Sequence, residues 1–467
     1  MQIDQALTPE RLEPAVERTF RLAADKSRDL ERSWQKSAGA PVFTAAGRYT
    51  SRGWTEWTQG FQYGCQLLAG EGCRDEELIA CGRDNIVAHM LPHATHTGVH
   101  DHGFNILSTY GNLLRLMSEG VLPDASPERH WYSDVIRVSG AVQASRWADT
   151  HCGLGYIYSF NGPHSLFIDT MRTVRVLSAA HRLGHVLMSE HDAAVNLLSR
   201  AVTHGLTTAK YIVFSGDSDH GYDIRGRTAH EGVFNRNDGR FRCRATQQGY
   251  SPFSTWTRGL AWAMLGFAEQ LEFLTSLEPA EFERAELDRD AAISQFLRAA
   301  TDTCEHYLEE VATLDGIAYW DDGAPQLHRL GDWRAQPAMP ANPHEPVDAS
   351  ASAIAAQGLL RLGQLLDHVP ELASATATGA AMRYRSAGLT VAQTLLQEPY
   401  LSLDPEHQGL LLHSVYHWPN RWDYVPPGQT VAYGESSLWG DYHLLELAWL
   451  IRRLATGGGA PTFFAHL

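Results

Sequence analysis

The chain has 467 residues, and 38 Lys+Arg against 54 Asp+Glu give it a formal net charge of −16. Hydrophobic residues make up 44% and charged residues 20%, the balance of a globular protein with a large core, so wholesale disorder is excluded. A charge of −16 repels phosphate, which disfavours nucleic acid and anionic membranes as partners. An anionic substrate stays possible, because a pocket can carry a local charge of the opposite sign.

The N-terminus and the cysteines indicate the compartment. The first twenty residues contain no basic stretch followed by an apolar run, so we expect no signal peptide. No run of about 18 apolar residues occurs, so no membrane span is expected. The six cysteines are scattered and form no C-x-x-C pair, which is typical of free thiols in a reducing compartment. We therefore expect a soluble, cytoplasmic protein.

Apolar residues recur at three- and four-residue spacing in twelve segments, as in amphipathic helices. These predicted helices cover 12–30, 60–68, 78–91, 104–117, 131–147, 166–183, 193–213, 256–274, 291–311, 351–366, 380–396 and 438–454. Thr8 and Asp348 stand where their side chains could cap the first and the tenth helix. No run of alternating strands separates the helices, so a parallel sheet with crossover helices is not expected.

Three long connections, at about 215–252, 314–347 and 398–434, do not show a helical pattern. Long loops in a compact fold usually carry function. Twelve helices with unequal connections predict an all-α fold of six helical hairpins closed into an (α/α)6 barrel, with residues 1–467 forming a single domain. A two-domain helical solenoid is the alternative, but the loops lack the fixed repeat period that it requires.

The sequence contains none of the motifs G-x-S-x-G, H-E-x-x-H, G-x-x-x-x-G-K-[ST] or G-x-G-x-x-G. Hydrolase serines, zincin chemistry and phosphate cradles therefore have no local support. Four histidines do cluster, at His93, His96, His100 and His102, and imidazole is a common metal ligand. The alternatives to a metal site are that they orient a carboxylate by hydrogen bonding or cap helix ends.

Two aspartates are candidate acid–base groups. Asp101 directly precedes a predicted helix start, where it could cap backbone N–H groups or point into the mouth of the barrel. Asp169 lies early in a largely apolar predicted helix, where a carboxylate is costly unless it is paired, hydrogen-bonded or protonated. An apolar setting and a second carboxylate nearby would raise the pKa of Asp169, which suits a general acid.

Aromatic and cationic side chains are candidates for binding. The chain holds 13 Trp and 17 Tyr, whose flat faces can stack on sugar rings or simply fill the core. Arg258 and Trp262 are four residues apart on one helix face, so they could offer a guanidinium to a carboxylate and an indole to a ring. Alternatively, Arg258 is a surface arginine that packs on Trp262.

Five segments in order resemble the unsaturated glucuronyl hydrolases of glycoside hydrolase family 88. They lie between about Trp54 and Leu454: HDHGF at 100–104, IDTM at 168–171, QGY at 248–250 with WTRGLAW at 256–262, DASASAIAA at 348–356, and LLHSVYH at 411–417 with LWGDY at 438–442. The resemblance implies an (α/α)6 barrel, which agrees with the twelve predicted helices. It also implies a substrate, an oligosaccharide left by a polysaccharide lyase and ending in a 4,5-unsaturated uronic acid.

Carried over residue by residue, the resemblance implies that Asp169 is the catalytic acid and base and that Asp101 is its carboxylate partner. It also implies that the uronate site is formed by His230, Gln248, Arg258 and Trp262, with Trp57 stacking on the sugar. Asp169 would protonate C4 of the vinyl ether and then take a proton from water attacking C5, after which the hemiketal opens. No metal or organic cofactor is implied, and the oligomeric state cannot be read from the sequence.

The sequence departs from the family pattern at a few positions. Thr170 and Arg172 follow Asp169 in place of the usual residues, Leu260 stands where Gln is common, and His102 replaces an apolar residue. The segment 216–238, which contains His230, matches the family pattern poorly. Other readings keep the barrel: an unsaturated rhamnogalacturonyl hydrolase, a glucuronidase for saturated ends, or a sugar epimerase that uses histidines. A non-catalytic glycan-binding protein would need the aromatics but not two poised aspartates.

Overall fold

The computed structural model describes residues 1–53, 56–458 and 461–467. Trp54, near which the family resemblance begins, lies outside them. The helices are α1 Pro9–Ser33, α2 Gln59–Cys73, α3 Glu76–His89, α4 Leu91–Ala94, α5 His102–Ile106, α6 Asn112–Ser118, α7 Ser126–Ser145, α8 Thr170–Thr173, α9 Arg175–Arg182, α10 Leu197–Tyr211, α11 Thr257–Thr275, α12 Pro279–Arg284, α13 Arg289–His306, α14 Ala349–His368, α15 Pro370–Ser374, α16 Ala380–Leu395 and α17 Leu438–Ala455. The strands are β1 Phe43–Ala45, β2 Arg48–Thr50, β3 Trp147–Asp149, β4 Gly155–Ile157, β5 Ser165–Phe167, β6 Val186–Met188, β7 Ala194–Asn196, β8 Glu231–Phe234 and β9 Phe241–Ala245.

The long helices form two concentric rings. The inner ring consists of α2, the α5–α6 pair, the α8–α9 pair, α11, α14 and α17, and it closes because α17 packs against both α14 and α2. The outer ring consists of α1, α3, α7, α10, α13 and α16, each packed against an inner neighbour. This is the predicted (α/α)6 barrel. The extent of the domain over the whole of 1–467 stays a prediction.

Burial separates the two rings. Inner helix α11 buries all of its residues except the last, whereas outer helix α1 buries Leu12, Val16 and Phe20 on one face and exposes the other. This difference follows from position, because an inner helix meets protein on every side. None of the helices in the described ranges is long and apolar enough to cross a membrane.

Most predicted helix positions are confirmed, and the helix starts give three corrections. Residues 166 and 167, at the start of the sixth predicted helix, belong to β5, so the helical segment starts only at Thr170. Residues 194–196, in the seventh predicted helix, form β7, so α10 starts at Leu197. Asp348 caps α14 by accepting hydrogen bonds from the backbone N–H groups of Ser350 and Ala351, as predicted. Thr8 makes no side-chain capping bond, and α1 instead begins with Pro9, whose fixed φ favours a helix start.

The strands are short and antiparallel, and one sheet positions a functional segment. Strands β5, β8 and β9 form a three-stranded sheet in which Phe167 pairs with Glu231. The backbone N–H of Ile168 then donates to the carbonyl of His230 at 3.0 Å. This pairing places Asp169 beside His230, although 61 positions separate them in the chain.

The direction of the inner helices decides where a site can form. Each inner helix is followed or preceded by an outer helix that runs back along the barrel, so the inner helices run in the same direction and their N-termini gather at one end. The three long predicted loops, which join α10 to α11, α13 to α14 and α16 to α17, lead into three of these N-termini. Helix N-termini carry unpaired N–H groups and partial positive charge, so this end of the barrel favours an anion.

Candidate active site

A cavity of about 420 Å³ lies at the end of the barrel where the inner helices begin. The predicted site residues that line it are Trp57, Asp101, Asp169, Gln248, Arg258 and Trp262. They come from five separate stretches of the chain, at or just before the starts of α2, α5, α8 and α11 and in the loop before α11. The structure therefore brings together all but one of the predicted residues, and the remaining one, His230, lies buried behind the wall.

Asp101 and Asp169 are buried at the floor of the cavity, with 8% and 9% of their surface exposed. Asp101 directly precedes α5 but its side chain makes no capping hydrogen bond, so it is not engaged as a helix cap. Asp169 directly precedes α8 and does not lie inside a helix as the sequence predicted. Both carboxylates are thus presented by the backbone at helix starts.

His100 lies between the two carboxylates. Its Nε2 is 3.1 Å from Oδ1 of Asp169 and 3.7 Å from Oδ1 of Asp101, and only 1% of its side chain is exposed. Its Nδ1 is buried with no hydrogen-bond partner among the described residues. His100 was noted in the sequence only as part of a histidine cluster, so its contact with Asp169 is a finding of the structure.

The pKa shifts differ from the prediction. Burial alone would raise the pKa of Asp169, but the charge and hydrogen bond of His100 outweigh it, so this pKa lies below its usual value. Burial raises the pKa of Asp101; His100 opposes the rise and the charge of Asp169 adds to it. Burial would lower the pKa of His100, but the two carboxylates raise it. Of the two carboxyl groups, Asp101 therefore keeps its proton to higher pH than Asp169.

His230 supplies a hydrogen-bond donor next to Asp169. Its Nδ1 accepts from the backbone N–H of Gln247 at 3.0 Å, which assigns the hydrogen of the neutral ring to Nε2. Nε2 is buried and has no partner in the described part of the chain. Burial lowers the pKa of His230 to about 4, so the ring is neutral near pH 7. The Nε2–H of His230 is therefore an unused donor behind the cavity wall.

Arg258 lies at the wall with 2% of its surface exposed. Its Nη1 donates to Asp348 Oδ2 at 2.9 Å and to the carbonyl of Val415, and its Nη2 donates to Gln248 Oε1 at 2.9 Å and to the carbonyl of Tyr416 at 2.7 Å. All four Nη hydrogens thus have protein acceptors. The contact with Gln248 fixes that side chain with its oxygen toward Arg258 and its NH₂ group available on the other side.

Aromatic rings form much of the rest of the wall. Trp57 stacks on Trp439 with ring centroids 5.2 Å apart, and its Nε1 lies 3.5 Å from the hydroxyl of Tyr416. Trp262 packs on Phe104 at 4.8 Å and is almost fully buried, whereas Trp57 is half-buried. Trp57 is therefore the ring that a sugar can reach more readily.

Several residues that line the cavity have no role predicted from the sequence. Phe160, Tyr416, His417, Asn420 and Trp422 line the cavity, and four of them come from the loop between α16 and α17. The segment 411–417 had been recognised as a matching motif, which is the signal that could have led to Tyr416 and His417. Phe160 and Trp422 lie in no recognised motif.

The clustered histidines do not converge. His93 contacts Gln59 Oε1 at 2.7 Å, and His102 contacts Ser139 Oγ at 2.8 Å and the carbonyl of His96 at 2.9 Å. Within the described ranges, no group of three or more His, Cys, Asp or Glu side chains is arranged to hold a metal ion. The contacts match the alternative in which a histidine orients a carboxylate, and His100 is the residue that does so.

Comparisons with known proteins agree with the motifs. No family model matches the chain. It is 26% identical over 396 residues to an unsaturated glucuronyl hydrolase of Formosa agariphila, which covers 84% of this chain and 78% of the relative. It is 28% identical over 259 residues, 55% of this chain and 52% of the relative, to one from Bacillus sp. strain GL1. An unsaturated chondroitin disaccharide hydrolase of Streptococcus pyogenes is 25% identical over 408 residues, 84% of this chain and 80% of the relative.

Solved structures share the fold. The crystal structure of the Bacillus sp. GL1 unsaturated glucuronyl hydrolase superposes with a TM-score of 0.67 at 21% identity, covering 95% of this chain and 97% of that one. One from Streptococcus agalactiae gives 0.64 at 21% identity, covering 97% and 96%. The resemblance predicted from the five segments is therefore confirmed, and it extends over most of the chain.

Proposed function

We propose that the chain is an unsaturated glucuronyl hydrolase that removes a 4,5-unsaturated uronic acid from the non-reducing end of lyase-generated oligosaccharides. The observation that carries this proposal is the pair of buried carboxylates, Asp101 and Asp169, at the floor of a cavity walled by aromatic rings. Two carboxyl groups with pKa values displaced in opposite directions are typical of acid–base catalysis. The five matching motifs support placing the protein in glycoside hydrolase family 88.

The proposed reaction hydrates a vinyl ether. The carboxyl group of Asp169 gives its proton to C4, and the electron pair of the C4=C5 bond forms the new C–H bond, so positive charge develops at C5 and the ring oxygen. Asp169, now a carboxylate, takes a proton from the water that attacks C5. The hemiketal then opens and releases the leaving sugar. A positioned acid or base contributes about 100- to 10,000-fold to such a step.

The remaining side chains bind and orient the substrate in this proposal. Gln248 offers a hydrogen-bond donor and Trp57 offers a ring face to the sugar, and His230 backs the wall beside Asp169. The N-termini of the inner helices favour the uronate carboxylate at this end of the barrel. Trp262 and Arg258 act here through the wall that they build. The relatives whose names include chondroitin disaccharide suggest glycosaminoglycan fragments as the first substrates to test.

We also propose that the enzyme works in the cytoplasm. All six cysteines carry free thiols in the structure, which fits a reducing compartment. Lyase-generated disaccharides are small enough to be imported before they are hydrolysed.

The experiment that tests the function uses a panel of unsaturated disaccharides and follows the loss of ultraviolet absorbance of the conjugated double bond. We expect Asp169→Asn to abolish turnover while the fold is kept, because an amide cannot deliver the proton. The surface substitution Asp290→Asn is the control. Since each decade in rate corresponds to about 1.4 kcal/mol, activity of the Asp169 variant within about tenfold of the parent would contradict the acid role.

Turnover in deuterated water tests the chemistry independently. Hydration of the vinyl ether places deuterium at C4 of the released product, whereas direct hydrolysis at the anomeric carbon places none there. Mass and NMR analysis of early product distinguishes the two, and an epimerase would return an unsaturated sugar with no loss of absorbance.

A further inference from the structure

We propose that His100 is a positioning residue that stores at Nε2 the proton which Asp169 delivers to the substrate, so that His100 and Asp169 act as one acid. This inference rests on the proposed function. It answers a difficulty in the site: His100, when protonated, lowers the pKa of Asp169, yet the reaction needs that carboxyl group protonated.

The geometry allows one proton to be held by either His100 or Asp169. Nε2 of His100 is 3.1 Å from Oδ1 of Asp169, within hydrogen-bond distance, and both side chains are almost completely buried. The ring packs against Phe160 and Phe167, with ring centroids 5.8 and 5.6 Å away, and only 1% of the His100 side chain is exposed. The backbone carbonyl of His100 is held in place by hydrogen bonds from Gln143 Nε2 at 2.8 Å and Thr173 Oγ1 at 2.7 Å.

Burial keeps the two proton positions close in free energy. The ion pair and the neutral pair both carry a hydrogen on Nδ1, which is buried without an acceptor in the described structure, so this nitrogen costs the two states the same. The two states differ in charge separation, because the first is an ion pair and the second is neutral. A low-dielectric setting penalises the separated charges when substrate closes the cavity. The proton can therefore pass from His100 to Asp169 without a large barrier from the surroundings.

The proton balance closes within the pair. The Nε2–H bond breaks and an Oδ1–H bond forms, which leaves a neutral imidazole and a neutral carboxyl group. The carboxyl group protonates C4, takes a proton from the water that attacks C5, and returns this proton to Nε2. No proton from solvent is needed between substrate entry and product release.

Other titratable and charged groups face the pair from the surrounding elements. They are Asp101 on the same segment, Arg146 at the end of α7, His204 on α10 and His230 before β8. Burial lowers the pKa of His204 to about 3 and that of His230 to about 4, so both stay neutral above pH 5. Arg146 stays charged throughout this pH range, so its charge lowers the pKa of His100 without titrating itself.

The test is the pH dependence of kcat/KM in His100→Gln. A Gln amide can reach Asp169 and keep one hydrogen bond, but it cannot store a proton. We expect the basic limb of the profile to move down by at least about one pH unit, so that kcat/KM falls about tenfold at pH 7.5 and much less at pH 5. His102→Gln, a buried histidine two residues away, is the control and leaves the limb in place.

Three results would overturn the proposal. A limb that moves to higher pH would mean that His100 is a fixed cation which only lowers the pKa of Asp169. An unchanged limb with a lower Tm would mean a structural role. If His100→Gln does not fold, NMR of the histidine ring protons between pH 5 and 9 is measured on the wild type and on Asp169→Asn. We expect the pKa of one histidine to be lower by more than one unit in Asp169→Asn. The absence of such a shift would contradict the pairing of His100 with Asp169.

The proposed function and the role of His100 can be contradicted separately. A wild type with no activity on any unsaturated disaccharide contradicts the proposed function, and the NMR titration of His100 still reports on the pair. An active wild type with the wrong limb movement contradicts only the role of His100.

Discussion

At the scale of single residues, Arg258 shows how a protein can use a cation beside an anion site to hold its own loops. Its guanidinium donates from α11 to Asp348 at the start of α14 and to the carbonyls of Val415 and Tyr416 in the following loop. It also lies between the indole rings of Trp256 and Trp439, at 4.8 and 4.9 Å from their centroids. These contacts connect three elements that meet at the cavity wall.

We expect Arg258→Lys to lower both kcat/KM and Tm. An ammonium group has three hydrogens on one nitrogen and cannot replace a planar fork that serves four acceptors from two nitrogens. Loss of charged hydrogen bonds to buried acceptors costs about 1–3 kcal/mol each. The matched control is Arg289→Lys on the surface of α13. A lower kcat/KM with an unchanged Tm would instead assign Arg258 to direct binding of the uronate, and unchanged kinetics would reject any role at the site.

The sequence predicts which residues meet at the site, but it does not predict how their side chains are oriented. Short motifs identified Asp101 and Asp169, because the residue types and their immediate neighbours suffice for that. The direction of the pKa shift at Asp169 depends on where the ring of His100 points, and that is set by contacts with Phe160 and Phe167. Periodicity and composition carry no information about such contacts.

At the scale of secondary-structure elements, helix starts build the site, and two capping aspartates show the difference between inner and outer helices. Asp288 caps the outer helix α13 by accepting from the backbone N–H of Ala291 at 3.0 Å. Asp348 caps the inner helix α14 with Oδ1 and binds Arg258 with Oδ2, and its side chain is fully buried. Asp288 therefore only caps its own helix, whereas Asp348 caps its helix and also holds Arg258 at the cavity wall.

We expect Asp288→Ala and Asp348→Ala to differ in both stability and activity. Loss of a simple cap costs about 1 kcal/mol, so Asp288→Ala should lower the unfolding free energy by that amount and leave kinetics unchanged. Asp348→Ala also leaves the buried Arg258 without its counter-ion, which costs about 3–5 kcal/mol. Chemical denaturation and kcat/KM measured on both variants test this. Equal losses of stability would contradict the role assigned to the Arg258–Asp348 pair.

Element boundaries were predictable where local pattern decides them and not where a distant segment does. The start of α14 follows from Asp348 and the apolar periodicity after it. Leu166 and Phe167 are apolar and continue the helical spacing, yet with Ser165 they form β5 because they pair with β8, more than sixty residues later in the chain. A single-sequence pattern cannot register that pairing, and it is this pairing that brings His230 to Asp169.

At the scale of the whole molecule, the barrel interior holds many titratable groups whose effects on stability oppose one another. Below the cavity, Arg172, Arg175 and Arg361 pair with Glu269, Glu272 and Glu446 on neighbouring inner helices. Burial raises the pKa of Glu272 to about 7, so stability from this group is lost as pH rises. Buried neutral histidines act in the other direction. A single substitution isolates the contribution of one titratable group to the pH dependence of the unfolding free energy.

His204 offers the clearest case. It is fully buried on α10, its Nδ1 accepts from the backbone N–H of Ile157 at 3.1 Å, and burial lowers its pKa to about 3. The unfolded chain protonates this histidine near pH 6.5, whereas the folded protein does not, because protonation would break the bond to Ile157. The unfolded state therefore binds more protons between these values, and His204 makes the wild type less stable as pH falls below 6.5.

We expect His204→Asn to remove this dependence, since Oδ1 of Asn can accept the same hydrogen bond and does not titrate. As the pH falls from 6.5 to 4.5, the unfolding free energy of the variant relative to that of the wild type should rise by about 1.4 kcal/mol for each pH unit. Urea denaturation at several pH values measures it, with His328→Gln on the surface as the control. A constant difference between variant and wild type would show that the folded barrel accepts a proton at this position, and the barrel interior there would have to be open to solvent.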